Sequence, residues 1–178
     1  MMIFAKNTAT KNTFAKFALL LLLGISVTAC GFHLRGNIPL PAGIQSMYVQ
    51  APEGPFKDQL LDRLENAGGQ LAAAPSGADV ILDVTKALSD RTIGTLDARG
   101  KVNSYNVRFQ VSYNLLDKNG RSIRPTANLI ETRRYDFDEQ LVVESESEEA
   151  ELRKDLEESI ALRIVRKLAS VTDFQPGK

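Results

Sequence analysis

Cys30 is the residue of this chain whose surroundings indicate a definite chemistry, and it is the only cysteine. It follows the small residues Thr28 and Ala29 at the end of an apolar stretch that runs from residue 17 to residue 27. A thiol is the most nucleophilic side chain at this position, and small residues before it fit the active site of a signal peptidase. These residues therefore indicate a cleavage site directly before a nucleophilic side chain.

Residues 1–29 have the pattern of a signal peptide. They contain three lysines, no acidic residue, and an apolar core well short of the roughly 20 residues that a membrane-spanning helix needs. The segment Val27–Cys30 resembles the lipobox of bacterial lipoproteins, which implies an S-diacylglycerol group and an N-acyl group such as palmitate on Cys30. The alternative is a plain secretory signal beside an unrelated buried cysteine. An unpaired thiol is unusual in an exported protein, and lipidation removes that anomaly.

The composition of the mature chain excludes some classes of partner. Removing residues 1–29 from 178 leaves 149, which is enough for one domain with a hydrophobic core. Subtracting the three signal-peptide lysines from 22 basic residues leaves 19 against 22 acidic residues, a net charge of −3. This balance argues against nucleic-acid binding, which requires an excess of positive charge. It also gives little attraction to an anionic membrane, so membrane attachment must depend on the lipid.

The sequence indicates no site for catalysis, a cofactor or a metal. His33 is the only histidine, and its place three residues after the lipid-bearing cysteine makes it a poor partner for a nucleophile. The chain has no Gly-x-Ser-x-Gly elbow and no glycine-rich phosphate loop. The acidic run from Glu144 to Glu151 lacks the glycine turn of a calcium loop, and acids at a helix start favour the positive end of the helix dipole.

Residues 89–104 concentrate positive charge in a glycine-bearing segment between two predicted strands. Arg91, Arg99 and Lys101 lie in this segment, which has no apolar periodicity and is therefore expected to be a loop. Arginines on a loop between strands are well suited to hold phosphate or carboxylate groups bidentately. The alternative is an ordinary solvated loop, and the residues alone leave both interpretations open.

The elements around these residues predict one domain. The segment 36–45 contains two prolines and two glycines, so we expect residues 30–45 to form a lipidated tether and residues 46–178 to form the domain. Residues 46–50 have the pattern of a short strand, and residues 70–76 that of a connection. Between them we expect a helix that ends at Gly68-Gly69. Its apolar face consists of Phe56, Leu60, Leu61 and Leu64.

Three further strands are predicted. Residues 80–85 alternate between apolar and other side chains. The strongest signal is the alternation from Tyr105 to Leu115, which predicts a half-buried antiparallel strand with one polar face. Asn119-Gly120 is a favoured hairpin turn, and the returning strand is expected within residues 127–137.

A long helix is expected to follow the strands. Ser145 and Glu148 have the spacing of a capping box, which predicts where it begins. Apolar residues then continue at helical spacing: Leu152, Leu156, Ile160, Ile164, Val165 and Leu168. The order strand, helix, three strands, helix predicts an α+β fold, in which two helices pack on one face of a four-stranded mixed β-sheet.

The residues at and after Cys30 resemble the mature N-terminus of a known family, the LptE lipoproteins of lipopolysaccharide (LPS) assembly. The resemblance extends over the mature chain through the order of elements, an Arg99-Gly100 loop before a long alternating strand, and the segment Arg133–Phe137. Glycine after the cysteine, in place of aspartate, resembles the sorting signal for the outer membrane. The motif itself consists of Gly31, Phe32, His33, Leu34 and Arg35.

This resemblance implies a non-enzymatic outer-membrane lipoprotein. It implies that the domain lies on the periplasmic side within the lumen of the β-barrel LptD, assists assembly of that barrel, plugs it, and contacts LPS during export to the outer leaflet. The basic loop of the family carries over to Arg99, with Lys101 and Arg91 as further candidates for LPS contact. The alternative function is a periplasm-facing lipoprotein enzyme or small-ligand carrier, which needs a pocket with convergent polar groups.

Overall fold

Five strands and two helices make up the described part of the chain. The structure is a computed structural model that describes residues 38–171. Cys30, the motif Gly31–Arg35 and the predicted signal peptide lie outside the described residues. In chain order the elements are β1 (Ser46–Gln50), α1 (Pro55–Asn66), β2 (Gln70–Leu71), β3 (Val80–Leu96), β4 (Val102–Asp117), β5 (Ser122–Asp136) and α2 (Val142–Ala169).

The strands form one mixed sheet in the order β2-β1-β3-β4-β5. β1 is parallel to β2 and β3, whereas β3, β4 and β5 form an antiparallel meander. The α+β class with two helices is confirmed, but the sheet has five strands instead of four. The additional strand β2 lies where a connection was predicted, because Gln70 N donates to Gln45 O (2.7 Å) directly after α1 ends. Two residues are too few to produce a periodic pattern in the sequence.

β3 and β4 extend beyond their predicted limits. The strand predicted at residues 80–85 continues to Leu96, and β4 begins at Val102, so residues 89–104 form a hairpin rather than a loop. Most side chains between residues 88 and 96 are exposed on both faces of β3. The strand gives no apolar alternation here because neither face is covered, and an uncovered face needs no apolar residues.

The helices cover one face of the sheet at its proximal end, the end that carries β1 and β2. The predicted stripe of α2 is confirmed, since Leu156, Ile160 and Ile164 are fully buried. The ring of Phe56 in α1 packs against that of Phe109 in β4, with 5.2 Å between their centroids. The alternation predicted for β4 is also confirmed: its buried apolar residues are Val107, Phe109, Val111, Tyr113 and Leu115, and Tyr105 is partly buried.

The packed core begins before β1. Leu40 and Ile44 are 3% and 0% exposed, and Leu40 N donates to Ala67 O after the end of α1 (3.0 Å). Leu40 and Ile44, which lie within the segment predicted as a tether, therefore belong to the core. Two apolar residues on either side of a proline turn fit into the core without any periodic pattern that a sequence reading could detect.

The last helix begins at Val142, three residues before the predicted capping box. Ser145 N donates to Leu141 O (3.0 Å), and Ser145 is buried within the first turn, so it is not the N-cap. The capping-box prediction is wrong because a turn at Asp138 already directs the chain into the helix. In that turn, the carbonyl of Asp138 accepts the backbone N–H of Leu141 (3.0 Å).

Gly94 permits the close approach of β3 and β4 near the distal end of the sheet, and its replacement gives a test of the hairpin. A Cβ atom at residue 94 would lie 2.6 Å from Ser104 Oγ and 3.1 Å from Ser104 O. We expect Gly94→Ala to lower the free energy of unfolding by about 1–3 kcal/mol, as overpacking does. At Gly77 the nearest atom would be 3.8 Å away, so Gly77→Ala is the matched control. Urea unfolding followed by circular dichroism measures both, and equal stability of the two variants would contradict the hairpin geometry.

Candidate functional site

A cationic turn, residues 97–101, joins β3 to β4 at the distal end of the sheet. Asp97 organises it, because its Oδ1 accepts the backbone N–H groups of Arg99 (2.8 Å) and Lys101 (2.9 Å). The N–H groups of Lys101 and Arg99 lower the pKa of the Asp97 carboxyl by stabilising its charged form. Gly100 has a φ of 81°, in the left-handed region that favours glycine. These hydrogen bonds therefore fix the backbone conformation of a turn that carries two cationic side chains, Arg99 and Lys101.

Arg99 and Lys101 extend from this turn into solvent. The Arg99 side chain is 81% exposed, and its Nε and Nη2 lie 3.2 Å from Asp97 Oδ2. Lys101 Nζ donates to Glu139 Oε2 (2.7 Å), and this bond raises the pKa of the lysine. Exposed ion pairs contribute little to stability. Both cations can therefore exchange these carboxylates for an anionic ligand at small cost.

The structure separates Arg91 from the cationic turn. Arg91 lies on the sheet face that the helices cover, where its guanidinium stacks 4.5 Å from the centre of the Tyr105 ring. Its Nη1 donates to Glu149 Oε2 of α2 (2.8 Å). The Tyr135 hydroxyl donates to the same oxygen (2.7 Å), and Arg153 Nη2 donates to Glu149 Oε1 (2.6 Å). We call these five residues the Glu149 cluster.

Glu149 is the acceptor around which this cluster forms, and its side chain is only 12% exposed. Burial raises the pKa of its carboxyl, but the hydrogen bonds from Tyr135 and Arg91 act in the opposite direction and leave that pKa below its usual value. The hydrogen bonds to Tyr135 and Glu149 raise the pKa of Arg91. The cluster therefore joins α2 to β3 and β5 through a charged carboxylate.

The sheet face opposite the helices, the outer face, is mostly polar and is covered by no described element. Two apolar side chains, Leu88 and Ile130, are exposed on it on either side of Gln110. Asp90 and Arg108 form a two-bond ion pair across β3 and β4 (3.0 and 2.9 Å). Ser112 Oγ donates to Asn128 Oδ1 across β4 and β5 (2.6 Å). The polar face predicted for β4 is confirmed. Other polar side chains on the outer face are Asp83, Asn106, Gln110, Asn114, Thr132 and Arg134.

Exposed apolar residues accompany the cationic turn at the distal end. The segment before α2 lies beside β4, since Phe137 N donates to Asn103 O (2.9 Å). Exposed contiguous apolar residues often mark a binding surface. The sequence reading missed them, although an apolar triplet, residues 141–143, interrupts a charged segment. We call this set the apolar rim: Ile93, Leu96, Leu141, Val142 and Val143, which are 43% to 76% exposed.

The hairpin was detectable from an internal similarity in the sequence. Asp97-x-x-Gly100-Lys101 has the same pattern as Asp117-x-x-Gly120-Arg121, which joins β4 to β5. In the second turn, Asp117 Oδ1 accepts the N–H groups of residues 119 (2.8 Å) and 121 (2.9 Å), as Asp97 does in the first. Recognising one turn therefore identifies the other, and both glycines have a positive φ.

Other kinds of site receive little support within residues 38–171. No group of three His, Cys, Asp or Glu side chains in this range is arranged to hold a metal ion. No helix in it combines the length and apolar character needed to cross a bilayer. A pocket of about 310 Å³ lies at the proximal end, near the C-terminal end of α2, and is lined by residues that include Tyr113, Arg124 and Lys167.

Comparison with known proteins identifies relatives of the whole chain. A sequence profile of the LptE family, described as lipopolysaccharide-assembly, matches residues 44–168. The LPS-assembly lipoprotein LptE of Pectobacterium atrosepticum is 27% identical over 167 residues, which cover 91% of this chain and 89% of that protein. The protein of the same name from Photorhabdus laumondii is 26% identical over 164 residues, covering 90% and 88%.

Solved structures of other lipoproteins share the fold. Lipoprotein B of Nitrosomonas europaea has a TM-score of 0.69 at 22% identity, over 80% of this chain and 92% of that one. A minor lipoprotein of Acinetobacter baumannii has a TM-score of 0.62 at 21% identity, over 73% and 94%. At these identities the likeness establishes the arrangement of helices and strands.

Replacing Glu149 tests the cluster. We expect Glu149→Gln to lower the free energy of unfolding at pH 7 by about 1–2 kcal/mol, because Arg91 and Arg153 lose a charged acceptor and are themselves partly solvated. Urea unfolding followed by circular dichroism gives the value. Glu146→Gln, an exposed position on the same helix, is the control and should change stability by less than about 0.5 kcal/mol.

The parent and Glu149→Gln also give a test of how stability depends on pH. The pKa of Glu149 is lower in the folded chain than its usual value of 4.5, so its stabilisation is present above that value and is lost as the pH falls through the folded pKa. The stability difference between the parent and Glu149→Gln should be full at pH 7 and should shrink below pH 4.5. A difference that stays constant into the acid transition would contradict the role assigned to this carboxylate.

Proposed function

Because the chain belongs to the LptE family, we propose that it is a lipid-anchored outer-membrane protein that assists the assembly of LPS. The match of the family profile over residues 44–168 is the observation that carries this proposal. The family is not enzymatic, so the protein contributes binding surfaces rather than a reaction. The lipids on Cys30 hold the domain at the periplasmic side of the membrane, since a net charge of −3 in the mature chain provides no attraction of its own.

The proposed partner is the β-barrel LptD, with the domain inside its lumen. The outer face supports this arrangement, because the interior of an outer-membrane barrel is polar and accepts a polar surface. Asp90 and Arg108 neutralise each other, so contact with the barrel wall leaves no unpaired charge between them. In this position the domain plugs the barrel and offers a preformed surface on which the barrel assembles.

The proposed LPS contact is the cationic turn together with the apolar rim. LPS carries phosphate groups beside acyl chains, so its recognition requires cations next to exposed apolar side chains. Arg99 and Lys101 provide cations suited to phosphate, and the apolar rim lies at the same end of the sheet. Arg91 is engaged by Glu149 and Tyr105, so we assign it to positioning β3 rather than to ligand contact.

Affinity isolation from outer membranes tests the partner. We expect the lipidated chain to recover a large β-barrel protein in about equal amount. Gln110→Lys should reduce this recovery several-fold, because it replaces the acceptor of Lys86 Nζ (3.2 Å) by a second cation and a barrel wall would bury two like charges. An unchanged melting temperature establishes that the variant folds. Gln70→Lys makes the same change at an exposed position on β2 and should leave recovery unchanged. Recovery of inner-membrane proteins alone would overturn the proposed partner.

Charge reversal tests the LPS contact. A well-made charge-assisted hydrogen bond contributes roughly 1.5–3 kcal/mol, so Arg99→Glu should weaken LPS binding by about tenfold to a hundredfold. Arg121→Glu is the matched control: Arg121 is 73% exposed and pairs with Asp117 in the equivalent turn at the proximal end. Binding of fluorescent LPS by the purified protein at moderate salt measures both, and melting temperatures confirm folding. Equal LPS binding by Arg99→Glu and by the parent would contradict the assignment of the cationic turn as the LPS contact.

A further inference from the structure

Most of β3 lacks a neighbouring strand on the side away from β4. β1 pairs with β3 only from Val80 to Asp83, and no described strand lies beside the rest of β3. From Lys86 to Ile93 the pairing with β4 is regular, so every second residue directs its N–H and C=O groups outward. No other backbone hydrogen bond to these outward groups is present within residues 38–171. We call residues 86–93 the open edge.

The open edge is better suited to accept a strand than β5, which forms the opposite margin of the sheet. β5 contains Pro125 and the adjacent arginines 133 and 134, which oppose strand addition. The open edge contains no proline, and two of its charged side chains are already paired. Asp90 pairs with Arg108, and Arg91 pairs with Glu149.

A groove of about 560 Å³ lies over the open edge on the side of the helices. It is bounded by Pro55 and Gln59 in α1, by Arg91 in β3, and by the part of α2 from Glu146 to Glu157. Because β3 is the outermost strand at Arg91, the groove opens sideways at the edge of the sheet. A strand added to the open edge would place alternate side chains into this groove.

Two buried polar atoms at the groove and the open edge lack hydrogen-bond partners within residues 38–171. Gln59 Oε1 is buried and has no partner among the described residues, and the same is true of Ser89 Oγ on the open edge. Buried polar atoms of this kind are nearly always paired in folded proteins. The charged groups of the groove wall are largely paired, since Arg91 and Arg153 both donate to Glu149. Gln59 Nε2 donates to Glu157 Oε2 (3.4 Å), and Lys154 is a further cation of the groove. An occupant that brings a donor would satisfy the two unpaired atoms.

We propose that the open edge binds an extended segment of a protein partner as an additional strand, and that a polar side chain of this segment enters the groove and donates a hydrogen bond to Gln59 Oε1. This inference rests on the proposed function, because the partner that we assign is the β-barrel protein. A closed barrel has no free strand edges in its wall. The added strand is therefore a loop or terminal segment of the barrel protein, and backbone hydrogen bonds fix its register.

Hydrogen exchange tests strand addition directly. The lipidated protein is purified from outer membranes in detergent, both alone and in complex with the barrel protein, and amide exchange is read residue by residue by mass spectrometry. We expect alternate amides between Lys86 and Ile93 to exchange at least about a hundredfold more slowly in the complex, because they gain backbone partners. The outward amides of β5 between residues 126 and 134 are the internal control and should change little.

The outcomes separate this inference from the proposed function. A complex that contains the barrel protein but leaves the open-edge amides unchanged overturns strand addition and leaves the proposed function intact. Failure to recover the barrel protein at all overturns both. In a third outcome, the open-edge amides of the protein alone already exchange slowly, with protection that increases with protein concentration as a dimer forms. That result would overturn the choice of occupant in favour of a second copy of this chain.

A groove variant tests the donor. Gln59→Lys removes the unpaired acceptor, so the incoming donor loses its partner and association with the barrel protein should weaken by about tenfold. Gln70→Lys is the matched control, with the same change at an exposed position away from the groove, and should have no effect. Melting temperatures of both variants establish that they fold. Association of Gln59→Lys equal to that of the control would overturn the assignment of a hydrogen-bond donor to the groove.

Discussion

The lengths of the helices and strands constrain this structure more than any single contact. Strand β3 has 17 residues and spans about 55 Å, whereas α1 has 12 residues and spans about 18 Å. Helix α2, with 28 residues, spans about 42 Å and runs above β4 and β5. One face of the sheet is thus covered fully only where both helices lie side by side. Beyond the start of α1 the sheet must be stable without a continuous hydrophobic layer.

The Glu149 cluster lies at the boundary created by that mismatch. Arg91 stacks on the Tyr105 ring, and Tyr135 is buried against α2. Where aliphatic packing ends, the contact between α2 and the sheet is therefore made by aromatic rings and a shared carboxylate. A buried carboxylate with three donors is stable only as a complete set, since loss of a partner leaves a charge in a poorly solvated place. The hairpin position therefore depends on this set, and so does the direction in which the cationic turn points.

Sequence reasoning succeeded where burial imposes a period and failed where it does not. The alternation of β4 and the stripe of α2 follow from contact with one core, so both were predictable. Distal β3 is exposed on both faces and has no such period. The consequence for the site is geometric: the strand continues for five residues after Arg91, about 17 Å, before the turn that carries Arg99 begins, while a loop would have allowed the two arginines to converge. Lys101 was predictable as a neighbour of Arg99 because only Gly100 separates them under either interpretation.

The uncovered distal region explains how one small domain offers several separate surfaces. A helix over distal β3 would bury the groove and the inward side of the open edge, and it would also allow apolar side chains at residues 89 and 91. Instead Ser89 and Arg91 occupy those positions, and the outward backbone groups from Lys86 to Ile93 stay accessible. Stability is concentrated at the proximal end, where Leu60, Leu82 and Ile160 are fully buried. Substitutions at the distal surfaces can therefore alter binding while the proximal core continues to hold the fold.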